Sequence, residues 1–512
     1  MRLESSIKNL KFAIIGQFLG IVVSFVGRMV FVNILNEEYL GINGLFSNIL
    51  SMLSLVELGI GPAIVFSLYK PLAENDTSKI NTLMHLYKKA YILIGMVIGS
   101  LGILITPFIH ILIKDMPDID NIKLIYILFV LNSAISYFYA YKRNLIIADQ
   151  KKYIATFYRY SFFVLLNLVQ IAVLTISKNF ILFLLVQISI TIAENIVVSK
   201  RADKIYPYLK NSTIEPLDSE TKGTIIKNIK AMIMHKVGSI IVMSTDNLII
   251  SSYVGVVWVG VYSNYLLIIN ALNAVLIQFF QAIVASIGNL VAREDIKKAK
   301  EVYDVVFFMN FWLYGFSSIA LICLFNPFIS IWLGEKYLLN IKLVLLIVIS
   351  FYLTGMRQGT MIFRDALGLY WQDRYKAILE AGINLIVSLI LVQHIGFAGV
   401  ILGTIISTLT TCTWMEPCIL HKYGFELSSK SYFLNYIKYT LTVLVVGIIT
   451  FELVIIIDSI TLISFVLKAV ICLVVPNISF MVLYSKTREF KYLWNIVENK
   501  VLNFKGSIFF RR

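Results

Sequence analysis

Apolar runs of about 20 residues, the length a helix needs to cross a bilayer, recur from one end of the chain to the other with short polar segments between them. Stretches such as Phe162 to Val173 and Leu441 to Ile457 are predominantly apolar on every face. They lack the alternation of a transmembrane β-strand, and only helices satisfy all their backbone groups internally in lipid. About fourteen spans are predicted: 12–35, 41–67, 90–113, 123–145, 156–177, 180–199, 230–254, 258–290, 303–333, 341–366, 376–394, 397–420, 437–457 and 460–485. The first is too long for a signal peptide and lacks an Ala-x-Ala end, so it is expected to stay as a helix.

The chain repeats itself. Ile7-Lys8-Asn9-Leu10-Lys11 returns as Ile226-Lys227-Asn228-Ile229-Lys230, and Tyr39-Leu40-Gly41-Ile42 as Trp258-Val259-Gly260-Val261. One residue of slippage later, Pro107-Phe108-Ile109-His110-Ile111 matches Pro327-Phe328-Ile329-Ser330-Ile331. Three matches in one order at a nearly constant offset predict two copies of a six-helix module. Because the number of spans per copy is even, the copies are parallel repeats, an arrangement that in transporters puts the substrate path between the halves. The expected organisation is an N-terminal six-helix lobe at 1–201, a polar linker at 202–223, a C-terminal six-helix lobe at 224–421, an added helix pair at 422–485 and a basic tail at 486–512.

Composition agrees with the hydropathy. The chain is 58% hydrophobic and 15% charged, against about a quarter charged in a soluble domain, and its mean hydropathy is +0.81. The formal charge of +15 does not point to nucleic acid, because the cations lie at helix ends rather than on one basic domain. Arg2, Lys8, Lys70, Lys79, Lys142, Arg143, Lys200, Arg201, Arg293, Lys297, Arg374, Lys376, Lys422, Lys430 and the tail fall on one side. By the positive-inside rule both termini are cytoplasmic, and anionic membrane lipids are expected partners. Cys323, Cys412, Cys418 and Cys472 lie inside apolar runs and predict no disulfide or zinc framework.

No catalytic motif is present: the five histidines are scattered, and there is no H-E-x-x-H, phosphate loop or G-x-S-x-G. Neither an enzyme, a metal nor a cofactor is expected. The candidates for function are ionisable and amide groups inside spans, where an unmet charge costs on the order of 2.5–3.5 kcal/mol. Arg28 ends a seam of Gly16, Gly20 and Ser24 on the first helix and is read either as facing a cavity or as reaching the headgroups. Glu57, on a stripe with Ser47, Ser51, Ser54 and Gly61, is read either as facing a cavity or as hydrogen-bonded to a neighbouring helix, with a bend expected at Gly59, Gly61 and Pro62. Asn270, Asn273, Gln278 and Gln281 share one side of the eighth helix, as helix-to-helix glue or as partners for sugar hydroxyls. Arg357 is the deeper of two arginines on the tenth helix, with Arg364 as an interfacial anchor. Glu194, Glu380 and Glu416 are expected to be structural, neutralised by Lys200, Lys376 and Lys422. The repeat aligns Gly27-Arg28 with Asp246-Asn247, which makes Arg28 and Asp246 a candidate outer gate, the alternative being that each is solvated separately.

The opening Ile7–Lys11, then Glu38-Tyr39-Leu40-Gly41-Ile42-Asn43-Gly44-Leu45-Phe46, Glu57-Leu58-Gly59-Ile60-Gly61 and Tyr69-Lys70-Pro71-Leu72 resemble the polysaccharide flippases of the Wzx type. Those belong with the MATE exporters and the lipid II flippase MurJ in one superfamily. The resemblance implies a bacterial inner-membrane protein that moves a polyprenyl-pyrophosphate-linked oligosaccharide to the outer leaflet by alternating access, with polysaccharide assembly proteins as further partners. Two alternatives stand beside it. A MATE-like exporter of organic cations would want an acidic cavity, and a polysaccharide polymerase would want long outer loops.

Overall fold

The structure, a computed structural model, describes residues 2–57, 59–210, 223, 244–293, 295–369, 371–458, 461–495 and 498; the side chains of 2–11, 62, 210, 281–286 and 288–293 lie outside the description. Among the described residues there is no strand. Among the described residues thirteen helices are long and apolar enough to cross a membrane, and the protein is an all-α, multi-pass membrane protein. The remaining expected span, 230–254, lies outside the described residues up to 243, as do linker residues 211–222 and tail residues 499–512.

The fold divides into two compact units, Met1–Ser263 with Val392–Phe397, and Asn264–Leu391 with Ala398–Arg512. In the first unit α1 runs Arg2–Ile34, α2 Glu37–Leu53, α3 Ile60–Glu74, α4 Thr77–Ile105, α5 Ile122–Ala148, α6 Lys152–Ser177 and α7 Phe180–Ile205. Short polar caps start several of these. Asn36 accepts from Tyr39 N–H, Asp76 from Lys79 N–H, and Asn179 from Ile181 and Leu182 N–H, each meeting donors that a helix start leaves open. The small-residue seam of α1 meets α6: the Tyr160 ring packs on Gly16 and Gly20 so closely that a Cβ at Gly16 would overlap it.

The expected span 41–67 is not one helix. After α2 the chain tightens into a 3₁₀ turn at Ser54–Glu57, turns through Gly59 at φ 76°, and restarts as α3. Only glycine adopts that left-handed conformation without steric cost, and Pro62 fits the first turn of a helix, where its missing N–H has no partner to lose. The bend therefore sits where Gly59, Gly61 and Pro62 predict it. Several helices also outrun their apolar runs, α4 beginning at Thr77 rather than 90, because hydropathy registers only the part of a helix that lies in lipid.

In the second unit α8 is Val256–Arg293, which enters from the first unit, and α9 is Ile296–Leu333. The expected spans 341–366 and 397–420 are each interrupted. The first becomes α10, Ile341–Met356, and α11, Gln358–Ala366; the second becomes α13, Phe397–Thr410, and α14, Cys412–Ile419, closing in a π-turn at Leu420–Gly424. Between them lies α12, Lys376–Ile395. The final pair, α15 at Lys430–Ile455 and α16 at Leu462–Tyr484, packs on α9 through aromatic rings, with Phe311 stacked on Tyr439 at 4.3 Å and Trp312 donating to Asn477 at 2.7 Å.

Candidate functional site

Arg28 sits in the span Phe12–Ile34, half-buried. Its Nη1 donates to Ser263 Oγ at 3.0 Å, and Ser263 in turn donates to the Gly260 carbonyl at 2.7 Å. Ser263 is held there because Gly260 lies against Glu37 and Gly41 with no room for a Cβ. The partner of the guanidinium is thus a neutral hydroxyl, and among the described residues no carboxylate lies within ion-pair distance of it. A cation inside a span that meets only a hydroxyl keeps most of its capacity for an anion. Asp246, on the helical stretch 244–249, is half-buried beside buried Asn247 and does not pair with Arg28 in this structure.

Glu57 lies at the break between α2 and α3, where it accepts from Tyr91 Oη at 3.0 Å. Tyr87 and Tyr91, four residues apart on one face of α4, both accept from Asn144 Nδ2 on α5, at 3.1 and 3.3 Å. Tyr87 donates to the Gly61 carbonyl at 2.5 Å. The broken backbone and its carboxylate are therefore fixed from α4 and α5, the arrangement in which Glu57 is bonded to neighbouring helices. The two tyrosines and Asn144 are partners that sequence reasoning missed; the four-residue spacing of Tyr87 and Tyr91 was the available signal.

On α8 Asn270 is exposed and Asn273 and Gln278 are partly exposed, and none of the three makes a hydrogen bond to a described residue. The side chain of Gln281 lies outside the described residues. Amides with no partner among the described residues are costly against lipid tails, which suits a face toward water or polar ligand better than helix-to-helix glue.

Arg357 is placed differently from a free cavity cation. It occupies the interruption between α10 and α11, and its Nε and Nη2 donate to both carboxylate oxygens of Glu416 on α14 at 2.9 and 2.7 Å. Lys376, which opens α12, donates to the same carboxylate at 2.6 Å, and Glu380 one turn along α12 reaches Arg357 at 3.4 Å. Arg364 pairs with Asp373 and Asp365 rather than serving as an interfacial anchor, and Asp373 is 1% exposed. Burial pushes the Asp373 carboxyl up from its ordinary value, against the opposing pull of Lys376 and Arg364. Glu416 is fully buried; it is neutralised by Arg357 and Lys376 rather than Lys422, and Glu194 by Arg143 at 2.6 Å rather than Lys200. This network ties three irregular points of the second unit together.

The fold is that of polytopic membrane transporters. No protein-family model and no curated protein matches the sequence. Among solved structures, the lipid II flippase MurJ in an inward closed conformation matches with TM-score 0.62 at 16% identity, over 92% of this chain and 98% of that one. An inward-facing multidrug resistance MATE family transporter of the MOP superfamily matches with TM-score 0.56 at 15% identity, over 80% and 98%. A mutant of the Vibrio cholerae MATE transporter VcmN matches with TM-score 0.56 at 12% identity, over 82% and 98%.

Proposed function

We propose that the protein flips a polyprenyl-pyrophosphate-linked oligosaccharide from the cytoplasmic to the outer leaflet of a bacterial inner membrane by alternating access, for surface polysaccharide synthesis. The observation that carries this reading is Arg28, a cation within a span whose partner is the Ser263 hydroxyl and not a carboxylate. Such a group suits the pyrophosphate of the carrier. The amides of exposed Asn270 and of partly exposed Asn273 and Gln278 suit the sugar hydroxyls, and a fold shared with a lipid flippase over nearly the whole chain supports a lipid-linked cargo. A MATE-like exporter of organic cations fits less well, because a cation at that place repels such a cargo. Both termini are cytoplasmic on this reading, no cofactor is needed, and polysaccharide assembly proteins are the natural neighbours.

Deletion of the gene is the direct test. Lipid-linked oligosaccharide is expected to accumulate on the cytoplasmic leaflet while its assembly continues. If assembly itself stops, the protein acts before translocation and the proposal fails.

A further inference from the structure

The segment between α11 and α12 has two faces. Inward, Asp373 is locked to Arg364. Outward, Trp371 is 73% exposed and Tyr375 is 56% exposed. Arg374 lies against both rings, its guanidinium carbon 4.0 Å from the centre of Trp371 and 4.5 Å from that of Tyr375, and Nη1 donates to the Trp371 carbonyl at 2.5 Å. Held in this way, the guanidinium uses its faces and one N–H, and its other in-plane N–H groups stay available to an acceptor. Among the described residues no carboxylate pairs with Arg374.

The depth of the cluster follows from α12. Tyr375, Leu379, Gly382, Ile386 and Ile390 are exposed and recur every three or four residues, so they form one stripe along the helix, whereas Asn384 and Ser388 are fully buried. A wholly apolar exposed stripe on a membrane-crossing helix faces acyl chains, not a watery path. Tyr375 is the last residue of that stripe, and Trp371 and Arg374 continue it beyond the helix end. The cluster therefore stands where hydrocarbon gives way to headgroups, the level at which Trp and Tyr rings are most stable and at which a cation meets lipid phosphate. Were Asp373 turned outward it would repel that phosphate, but the ionic network holds it inside.

We propose that Trp371, Arg374 and Tyr375 form a binding site for the headgroup phosphate of an anionic phospholipid of the surrounding bilayer. The free N–H groups of Arg374 hold the phosphate oxygens, and the two rings lie beside the glycerol. The site is separate from Arg28 and independent of what the protein carries.

The test uses the full-length protein in bilayers of mixed phosphatidylglycerol and phosphatidylcholine. In native mass spectrometry the wild type retains phosphatidylglycerol in preference, and Arg374→Gln lowers that preference about five-fold, the worth of one basic residue at an anionic surface. Chain-brominated lipids give a second readout. The fluorescence of Trp371, taken as wild type minus Trp371→Phe, is quenched more by brominated phosphatidylglycerol than by brominated phosphatidylcholine, and the difference disappears in Arg374→Gln. Arg201→Gln, a change of an exposed cation elsewhere on the surface, leaves both readouts unaltered. Three results overturn the proposal: unchanged retention in Arg374→Gln, a Trp371 signal that brominated lipids do not quench, or an equal loss in Arg201→Gln, which would reduce the effect to overall charge.

Discussion

Two arginines illustrate how the same side chain in the same kind of span takes different roles according to its partners. Arg357 meets a bidentate carboxylate at 2.7 and 2.9 Å and is consumed by it; Arg28 meets a serine hydroxyl. On the proposed function, Arg28 is the group that meets the anion of the cargo. Replacing it with Ala is expected to lower transport about ten- to hundred-fold, the span of a charged hydrogen bond, with Arg28→Lys retaining part of the rate because the charge stays while the fork geometry goes. Transport at wild-type rate in Arg28→Ala, at equal protein abundance, contradicts that assignment. Glu416 is the converse case. Glu416→Gln leaves two buried cations short of their counter-charge, which costs on the order of 3–5 kcal/mol, and Lys376→Met in the same chain is expected to restore part of the lost thermal stability. If the double variant melts no higher than Glu416→Gln alone, Lys376 is not a partner in that balance. The identity of Arg357, Glu380 and Glu416 as intramembrane charges was legible in the sequence. Their pairing was not, because it joins residues 23 to 59 positions apart across separate helices.

Helix interruptions decide which of these groups meet. The bend after Glu57 was legible because Gly59 and Pro62 are local signals with a local physical cause; the breaks at Arg357, between Gly355 and Gly359, and at Thr411, ahead of Pro417, carry comparable marks that the hydropathy reading passed over, because each lies inside a continuous apolar run. Gly59→Ala would force a Cβ into the left-handed region at φ 76°, a strain of about 1–2 kcal/mol. Gly61→Ala acts elsewhere: its Cβ would stand 2.6 Å from Tyr91 Oη and 2.7 Å from Glu57 Oε1. The expected outcome is loss of the Glu57–Tyr91 hydrogen bond, seen as a lower melting temperature than wild type. An additional Tyr91→Phe change should then cost little more, since contacting residues are not additive. Full additivity of the two changes would mean that Gly61 and the Glu57–Tyr91 bond are unconnected.

For the whole molecule, hydropathy alone specified an all-helical membrane protein, because every span must satisfy its backbone internally and announces itself by its length. Loop charge adds an orientation, and labelling in intact cells tests it. In a cysteine-free background, Ser212→Cys in the linker is expected to resist a membrane-impermeant maleimide until the cells are opened, whereas Asp118→Cys should react at once. The reverse result would invert the topology and with it the direction of transport. The central claim remains that a lipid-linked oligosaccharide crosses the bilayer through this protein with Arg28 engaged. Its most direct measurement reconstitutes the purified protein in liposomes carrying labelled polyprenyl-pyrophosphate-linked oligosaccharide on one leaflet and follows the label's exposure to an impermeant sugar-modifying enzyme on the other. Exposure well above that of protein-free liposomes is expected, with its loss in Arg28→Ala; exposure no faster than in protein-free liposomes would contradict the claim.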